Sequence, residues 1–236
     1  VAVTLGTGVG GGAILNGKLY TGFNYAGMEI GHFVIEHGGR LCTCGRRGCF
    51  EAYCSATALI KRTRQVMEED RTSRLWELAG SLEGVNGRTP FDAAAQGDPA
   101  AGKVIDEYVD YLGCGVASLV NIFQPEVICI GGGPSAQGET LMAPVRYILN
   151  REDYARNNLH RTRLVRAALG NDAGLIGAAL LPLFRSSSRA ELRSGAATST
   201  EDLPYGRSSV LSYPAQGPSS GAAGSAPPSS GGKRSR

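Results

Sequence analysis

VAVTLGTGVGGGAILNGKLYTG, residues 1–22, reads as strand, glycine turn, strand, hairpin and strand. Val1–Leu5 is a strand-like run, broken by Gly6, Thr7 and Gly8. Val9 to Gly12 continues extended, Ala13–Leu15 is apolar again, and Asn16–Gly17 is a two-residue hairpin signal that lets Lys18–Tyr20 return. In a dinucleotide-binding unit the glycine loop opens a helix instead. The stretch also lacks the Gly-Lys-Ser/Thr ending of a P-loop. What it keeps is a backbone that can approach a ligand closely, with N–H groups free to face phosphate oxygens. Glycine turns also arise for steric reasons alone, so chemistry by itself leaves both readings open.

Further along, Tyr53 to Glu69 has helical spacing, with Ser55 as a cap and Ala56, Leu59, Ile60, Thr63, Val66 and Met67 near one face. Short helices are expected at Arg74–Ala79 and Phe91–Gln96, with a loop at Gly84–Thr89 between them. Pro99 suits a first turn and leads a long helix to Phe123, ended by Pro125. Gly113 and Gly115 inside it imply close packing against a neighbour. Glu126–Ile130 reads as a strand with Gly131, Gly132 and Gly133 at its carboxyl end, where open α/β sheets bind ligands. Thr140–Asn150 and a following segment read as helical, Leu164–Ala168 as a strand and Gly174–Leu181 as a final helix. Helices between strands imply an α/β fold with a covered sheet.

The 236 residues carry a formal charge of +3, unevenly spread. Residues 1–184 hold 17 Arg/Lys against 18 Asp/Glu, and residues 185–236 hold seven against three. The body is near neutral, which removes the composition argument for a nucleic-acid-binding body. From Arg185 onward 33 of 52 residues are Ser, Gly, Ala or Pro, too few apolar groups to offset the ordering entropy. This segment reads as disordered, either a flexible tether or a non-native extension, and the abrupt end of periodicity after Leu183–Phe184 favours the second. No run approaches the roughly 18 apolar residues of a membrane span, and no signal-peptide pattern is seen. Val1 already sits inside a strand-like run, so a larger protein is expected to begin upstream.

Of six cysteines, Cys114 and Cys129 sit among apolar neighbours and read as buried thiols without a special role. Cys42-Thr43-Cys44-Gly45-Arg46-Arg47-Gly48-Cys49 differs, because Gly45 and Gly48 let the chain fold back and bring three sulfurs to one point. With His32, ten residues before Cys42, they form a Cys3His set suited to tetrahedral Zn²⁺. His37 competes, but five residues leave a short arc to Cys42. The alternative is a disulfide cluster, which nothing suggesting secretion supports and which Cys-x-Cys spacing strains. Arg40, Arg46 and Arg47 would offset the net −1 charge of the loaded site. With all four positions filled by protein, the zinc reads as structural, pinning a loop with few core residues. Glu29, His32 and Glu51 flank this knot on a polar arc suited to polyol hydroxyls. The other reading of both carboxylates is ordinary surface charge.

Taken together, LGTGVGGGAILNGKLYTG (5–22), AGMEIGH (26–32), CTCGRRGCFE (42–51), VNIFQPEVICIGGGPSAQGETLMAPVR (120–146) and ALGNDAGLIGAALL (168–181) resemble the ROK family of sugar kinases and repressors, most closely its bacterial glucokinases. The resemblance covers residues 1–184 and implies the carboxyl-terminal lobe of an actin-like ATPase (ribonuclease H-like) fold with a zinc-stabilised loop. It implies ATP-dependent phosphorylation of the 6-hydroxyl of glucose, or sugar sensing in a repressor of the same family. Gly6, Thr7, Gly8 and Gly10 match a phosphate-binding turn, and Gly131, Gly132 and Gly133 a turn near adenosine. Glu29, His32 and Glu51 match sugar contacts, while His32, Cys42, Cys44 and Cys49 match zinc ligands. Mg²⁺ would come with ATP, and a cytoplasmic homodimer or tetramer is the family expectation. The family also carries an upstream domain with a first phosphate turn and an Asn-Asp pair whose aspartate acts as base. Neither occurs from Val1 onward. Asn171-Asp172-Ala173 matches the family's C-terminal segment instead, so Asp172 is not assigned the base, and the chain by itself is expected to be inactive. Nucleic acid is an expected partner only if a helix-turn-helix lies upstream.

Overall fold

A computed structural model describes residues 1–170 and 172–182. The segment read as a disordered tail, 185–236, lies outside them. In β1 (Ala2–Leu5) Val3 and Leu5 are fully buried while Thr4 is exposed, the period-2 alternation of a half-covered strand. It pairs antiparallel with β2 (Val9–Gly12) and parallel with β5 (Val127–Gly132), which pairs parallel with β6 (Arg163–Arg166). The sheet order is β2-β1-β5-β6. The hairpin β3 (Ile14–Leu15) and β4 (Lys18–Leu19) turns at Asn16–Gly17 but forms its own two-stranded ribbon rather than extending the sheet.

The region expected as one helix from Tyr53 divides into α1 (Glu51–Cys54) and α2 (Ala56–Glu69). Ser55 between them is extended, at φ −69° and ψ 157°, and its hydroxyl accepts from the Ala58 N–H at 3.0 Å. A capping serine needs a non-helical backbone, so the cap itself breaks the run. Next come α3 (Leu75–Ala79), α4 (Thr89–Ala95) and α5 (Pro99–Phe123). The start of α5 is capped by Asp98, which accepts from Ala101 N–H at 2.7 Å, and its end is Gln124 in the left-handed region at φ 42°. α5 packs against α2, α4 and α6 (Glu139–Glu152). A Cβ at Gly113 would come within 2.6 Å of Ile148, and one at Gly115 within 2.7 Å of Phe50 Cδ2, so both glycines mark close helix packing as expected.

Three expectations need correction. The segment after Thr140–Asn150, expected to be helical, forms turns beyond Glu152, because Asp153 caps the end of α6 and its carboxylate accepts the Ala155 N–H at 2.8 Å. Cys114 is exposed and Cys129 only partly covered. Cys114 points from α5 into a surface groove shared with Ser118 and Asn121, so apolar neighbours in sequence did not bury it. Gly131 and Gly132 do not follow β5 but end it, paired with Thr4 and Leu5. Residues 172–182 form a last helix, α7, whose Leu175 and Leu180 are exposed. No helix among the described residues is long and apolar enough to cross a membrane.

Candidate functional site

The stretch between β4 and α1 has almost no regular structure: a 3-10 turn at Ile30–His32 and two isolated bridges, Val34↔Cys49 and Leu41↔Arg47. The short turn lies against β2 because Gly11 and Gly31 have no side chains to keep it off. Within the loop, Cys42 N–H donates to the Arg46 carbonyl at 2.8 Å and Gly45 N–H to the Cys42 carbonyl at 3.0 Å. Gly45 (φ 87°) and Gly48 (φ 80°) supply the left-handed backbone this fold-back demands.

The fold-back brings His32, Cys42, Cys44 and Cys49 together, with their ligand atoms all within 4.8 Å of one another. His37 is exposed and outside this group. Cys44 Sγ and Cys49 Sγ are 3.7 Å apart, as are Cys42 Sγ and His32 Nδ1. A tetrahedron with Zn–S bonds of about 2.3 Å has edges of about 3.8 Å, close to both of these distances, and the donors suit zinc in number and type. All six cysteines are free thiols in this structure, against the disulfide alternative. Burial, reinforced by Cys44 and Cys42, pushes the Cys49 thiol up to about 12. The Arg46 backbone N–H is the largest cause pulling Cys44 down. A divalent cation bound there would favour the thiolate form of its cysteine ligands. Arg46 also donates to the His32 carbonyl at 3.0 Å, tying the loop to the histidine's turn.

Glu51 joins this loop to the glycine turn. Its Oε2 accepts the Val9 N–H at 3.0 Å, and its Oε1 accepts the Thr43 hydroxyl at 3.1 Å. The carboxylate sits where a Cβ on Gly8 would be, which explains that glycine sterically. Gly6 N–H donates to the Gly8 carbonyl at 2.9 Å, and the Gly6 carbonyl accepts from Ala56 N–H at 2.8 Å, so the head of α2 docks on the turn. Thr7, Thr43 and Glu51 line a groove of about 360 Å³ with Arg40, Lys61 and Arg62. Gly10 is set in β2 opposite Thr4. Glu29, exposed, precedes the short turn that ends in His32, and its carbonyl accepts the His32 N–H at 3.1 Å.

On the other side of the head of α2 opens a cleft of about 610 Å³. Gly132 and Gly133 line it with Asn86, Arg88, Ser135 and Arg166, whereas Gly131 does not. Gly132 has φ 88°, and a Cβ there would strike the Leu5 carbonyl, so only glycine lets the chain turn off the sheet at this point. Its own carbonyl accepts the Ser135 hydroxyl at 2.7 Å. Sequence reasoning missed Asn86, Arg88 and Arg166. The signal for Arg166 was available, since it ends the parallel neighbour of β5. Nothing in the local sequence points the 84–89 loop at this cleft.

The ROK family matches residues 1–184. A glucokinase of Thermotoga maritima is 44% identical over 180 residues, 76% of this chain and 56% of its own length. A xylose repressor of Caldicellulosiruptor bescii is 32% identical over 157 residues, 65% of this chain and 38% of its own. Among solved structures, the ROK family glucokinase from Streptomyces griseus in complex with glucose and AMPPNP superposes with a TM-score of 0.70 at 37% identity, covering 76% of this chain and 59% of that one. The chain thus spans little more than half the length of the glucokinases it matches. A glycine turn clasped by Glu51, a Cys3His loop and a β1-β5-β6 parallel sheet therefore occur in one chain whose sequence and backbone both match one group of proteins: it belongs to the ROK family and has that family's actin-like ATPase fold.

Proposed function

We propose that this chain is the carboxyl-terminal lobe of an ATP-dependent hexose kinase, a glucokinase transferring the γ-phosphoryl group of ATP to the 6-hydroxyl of glucose. The observation that carries this reading is a glycine turn that lines one cavity and hydrogen-bonds to a residue lining another. Gly6 holds Ala56, which lines the 610 Å³ cleft, while Thr7, next along the turn, lines the 360 Å³ groove beside Glu51. A nucleotide seated against Gly132 and Gly133 would extend its phosphates across Gly6–Gly8 toward a sugar held by Glu29, His32 and Glu51. Backbone N–H groups along the turn would take up charge developing on the transferred group. Mg²⁺ bound with ATP would neutralise the phosphoryl oxygens. His32, Cys42, Cys44 and Cys49 would hold a structural Zn²⁺ that leaves no open coordination position. The base for the sugar hydroxyl is assigned to an aspartate outside residues 1–236. The similarity to glucokinases, one of them crystallised with glucose and AMPPNP, supports the choice of glucose and ATP.

The test is glucose-6-phosphate formation, with ATP and Mg²⁺, by a chain extended upstream of Val1. Turnover abolished by changing the upstream aspartate, together with none from the 236-residue chain, is the expected result. A folded extended chain that forms no product overturns the kinase reading. Turnover by the 236-residue chain alone would show that the base is misplaced. The match to a xylose repressor supports one other reading, a sugar sensor, whose mark is saturable sugar binding without turnover and a helix-turn-helix upstream.

A further inference from the structure

An ion-pair junction ties the Cys3His loop to α2 and α5, and two of its members, Arg40 and Arg62, also line the 360 Å³ groove. Glu107, on α5, accepts from Arg40 Nη2 with one oxygen and from Arg62 Nε at 2.9 Å with the other. Arg40 belongs to the metal loop and Arg62 to α2, so one carboxylate joins three elements. The side chains are 36%, 29% and 26% exposed for Arg40, Glu107 and Arg62, which places the junction mostly under cover. The Arg40 guanidinium also lies 4.4 Å above the Tyr53 ring, which packs on Tyr111 at 4.2 Å. The Arg40 backbone N–H donates to the Tyr53 hydroxyl at 2.8 Å, and Gly39 is the residue that leaves room for that hydroxyl. The Arg40 carbonyl accepts the Gly48 N–H at 2.8 Å. Residue 40 therefore holds both arms of the loop, two positions before Cys42 and across from the residue preceding Cys49.

We propose that Glu107 is a positioning residue for the metal loop: by gripping Arg40 against Arg62 and the Tyr53–Tyr111 pair, it fixes the Cys42 and Cys49 arms at ligating distance. Without its carboxylate, Arg40 and Arg62 become two neighbouring cations with no shared counter-ion, and Arg40 is released from the ring face. Burial acts to raise the Glu107 carboxyl, but hydrogen bonds from Arg62 and Arg40 outweigh it and hold it below the usual range, so the anion is the form that grips. The inference rests on the reading of the cluster as a zinc site.

The experiment loads the 236-residue chain with one Zn²⁺ and follows its release to a chromogenic chelator. Glu107→Gln, similar in shape but uncharged, is expected to speed release about tenfold, the low end for residues that support ligands indirectly. Arg40→Ala should do the same, and the double variant should be no faster than the faster single one, because both break one link. Glu69→Gln removes only the exposed second partner of Arg62, at 3.4 Å, and should leave release unchanged. Wild-type release by Glu107→Gln, or effects that multiply in the double variant, overturns the proposal. Should Glu107→Gln fail to fold, Arg40→Ala alone decides, since unchanged release there is equally fatal. A wild-type chain that takes up no zinc refutes the metal reading instead.

Discussion

Two glycines of α5 should respond to the same substitution with opposite sign. Gly102 and Gly115 both lie inside this 25-residue helix, where replacing Gly by Ala raises helix propensity by about 1 kcal/mol. At Gly102 a new Cβ meets nothing within 4 Å, so the full gain of about 1 kcal/mol is expected. At Gly115 the Cβ would sit 2.7 Å from Phe50 Cδ2 and closer still to Cε2 and Cζ. Ordinary carbon contacts are about 3.5–4.0 Å, so the ring must retreat by about 1 Å or more. Phe50 has nowhere to go: it is fully buried and stacked on Phe33 at 5.1 Å between ring centroids. Overpacking of that kind costs about 1–3 kcal/mol, and this contact belongs at the upper end, leaving a net loss of about 2 kcal/mol after the propensity gain. Urea denaturation of the zinc-loaded chain should therefore separate Gly102→Ala from Gly115→Ala by about 3 kcal/mol, with wild type between them. Phe50 stands between Cys49 and Glu51, so Gly115→Ala should also loosen metal retention while Gly102→Ala does not. A Gly115→Ala variant as stable as wild type would refute the packing argument, and equal losses at both positions would refute the role of the clash.

The choice of histidine is checked by metal content: His32→Ala should drop bound zinc from one per chain to well below one and make the 36–50 loop protease-sensitive, whereas His37→Ala should keep it. Asp98→Ala should cost about 1–3 kcal/mol, because a buried carboxylate accepting from Ala101 N–H, Arg74 N–H and Ser73 Oγ is lost. Burial acts to raise the Asp98 carboxyl, but those hydrogen bonds outweigh it and hold it below its ordinary 3.8. A lowered folded value means the contribution is fully present above 3.8 and fades as pH falls through the folded value. Asp98→Asn should accordingly flatten that part of the acid-denaturation curve, and an unchanged acid limb would contradict the assignment.

The elements legible in the sequence were those whose cause is local. The bounds of α5, Pro99–Phe123, follow from a first-turn proline and Pro125 after its end. The Cys3His set was legible because three of its ligands share one short segment with two glycines, and because His37 lies too near in chain to fold back. What escaped was non-local. Ser55 ends α1 as well as starting α2, a role set by the glycine turn that its neighbour Ala56 binds. Cys114 looked buried from its neighbours, but its exposure depends on the rotation of α5 against α6. Arg88 reaches the cleft through a loop whose path is fixed by tertiary contact, with no periodicity to reveal it.

On the proposed function, the loop that carries Glu29 and His32 and leads to Glu51 at the start of α1 poses a physical problem that a bound metal would answer. A sugar site needs polar side chains held still, yet holding chain still normally requires apolar burial, about 25 cal/mol per Å². Between Tyr20 and Phe50 the buried side chains are few: Met28, Ile30, Cys42 and Cys49, with Phe50 at the end. Phe23 and Tyr25, the large apolar groups that might have contributed, are 99% and 84% exposed. Four protein–metal bonds would substitute for the missing core. Glu51 would then carry the constraint onward, because the same carboxylate that accepts from Thr43 also accepts from Val9 after the glycine turn. Metal loss would therefore be felt first not as global unfolding but as slack between the proposed sugar and phosphate subsites. Stripping the metal should raise the KM for sugar in the extended chain more than that for ATP, because no residue of the loop lines the cleft at Gly132 and Gly133. Equal rises in both would mean that the glycine turn, not the loop, is the element the metal holds.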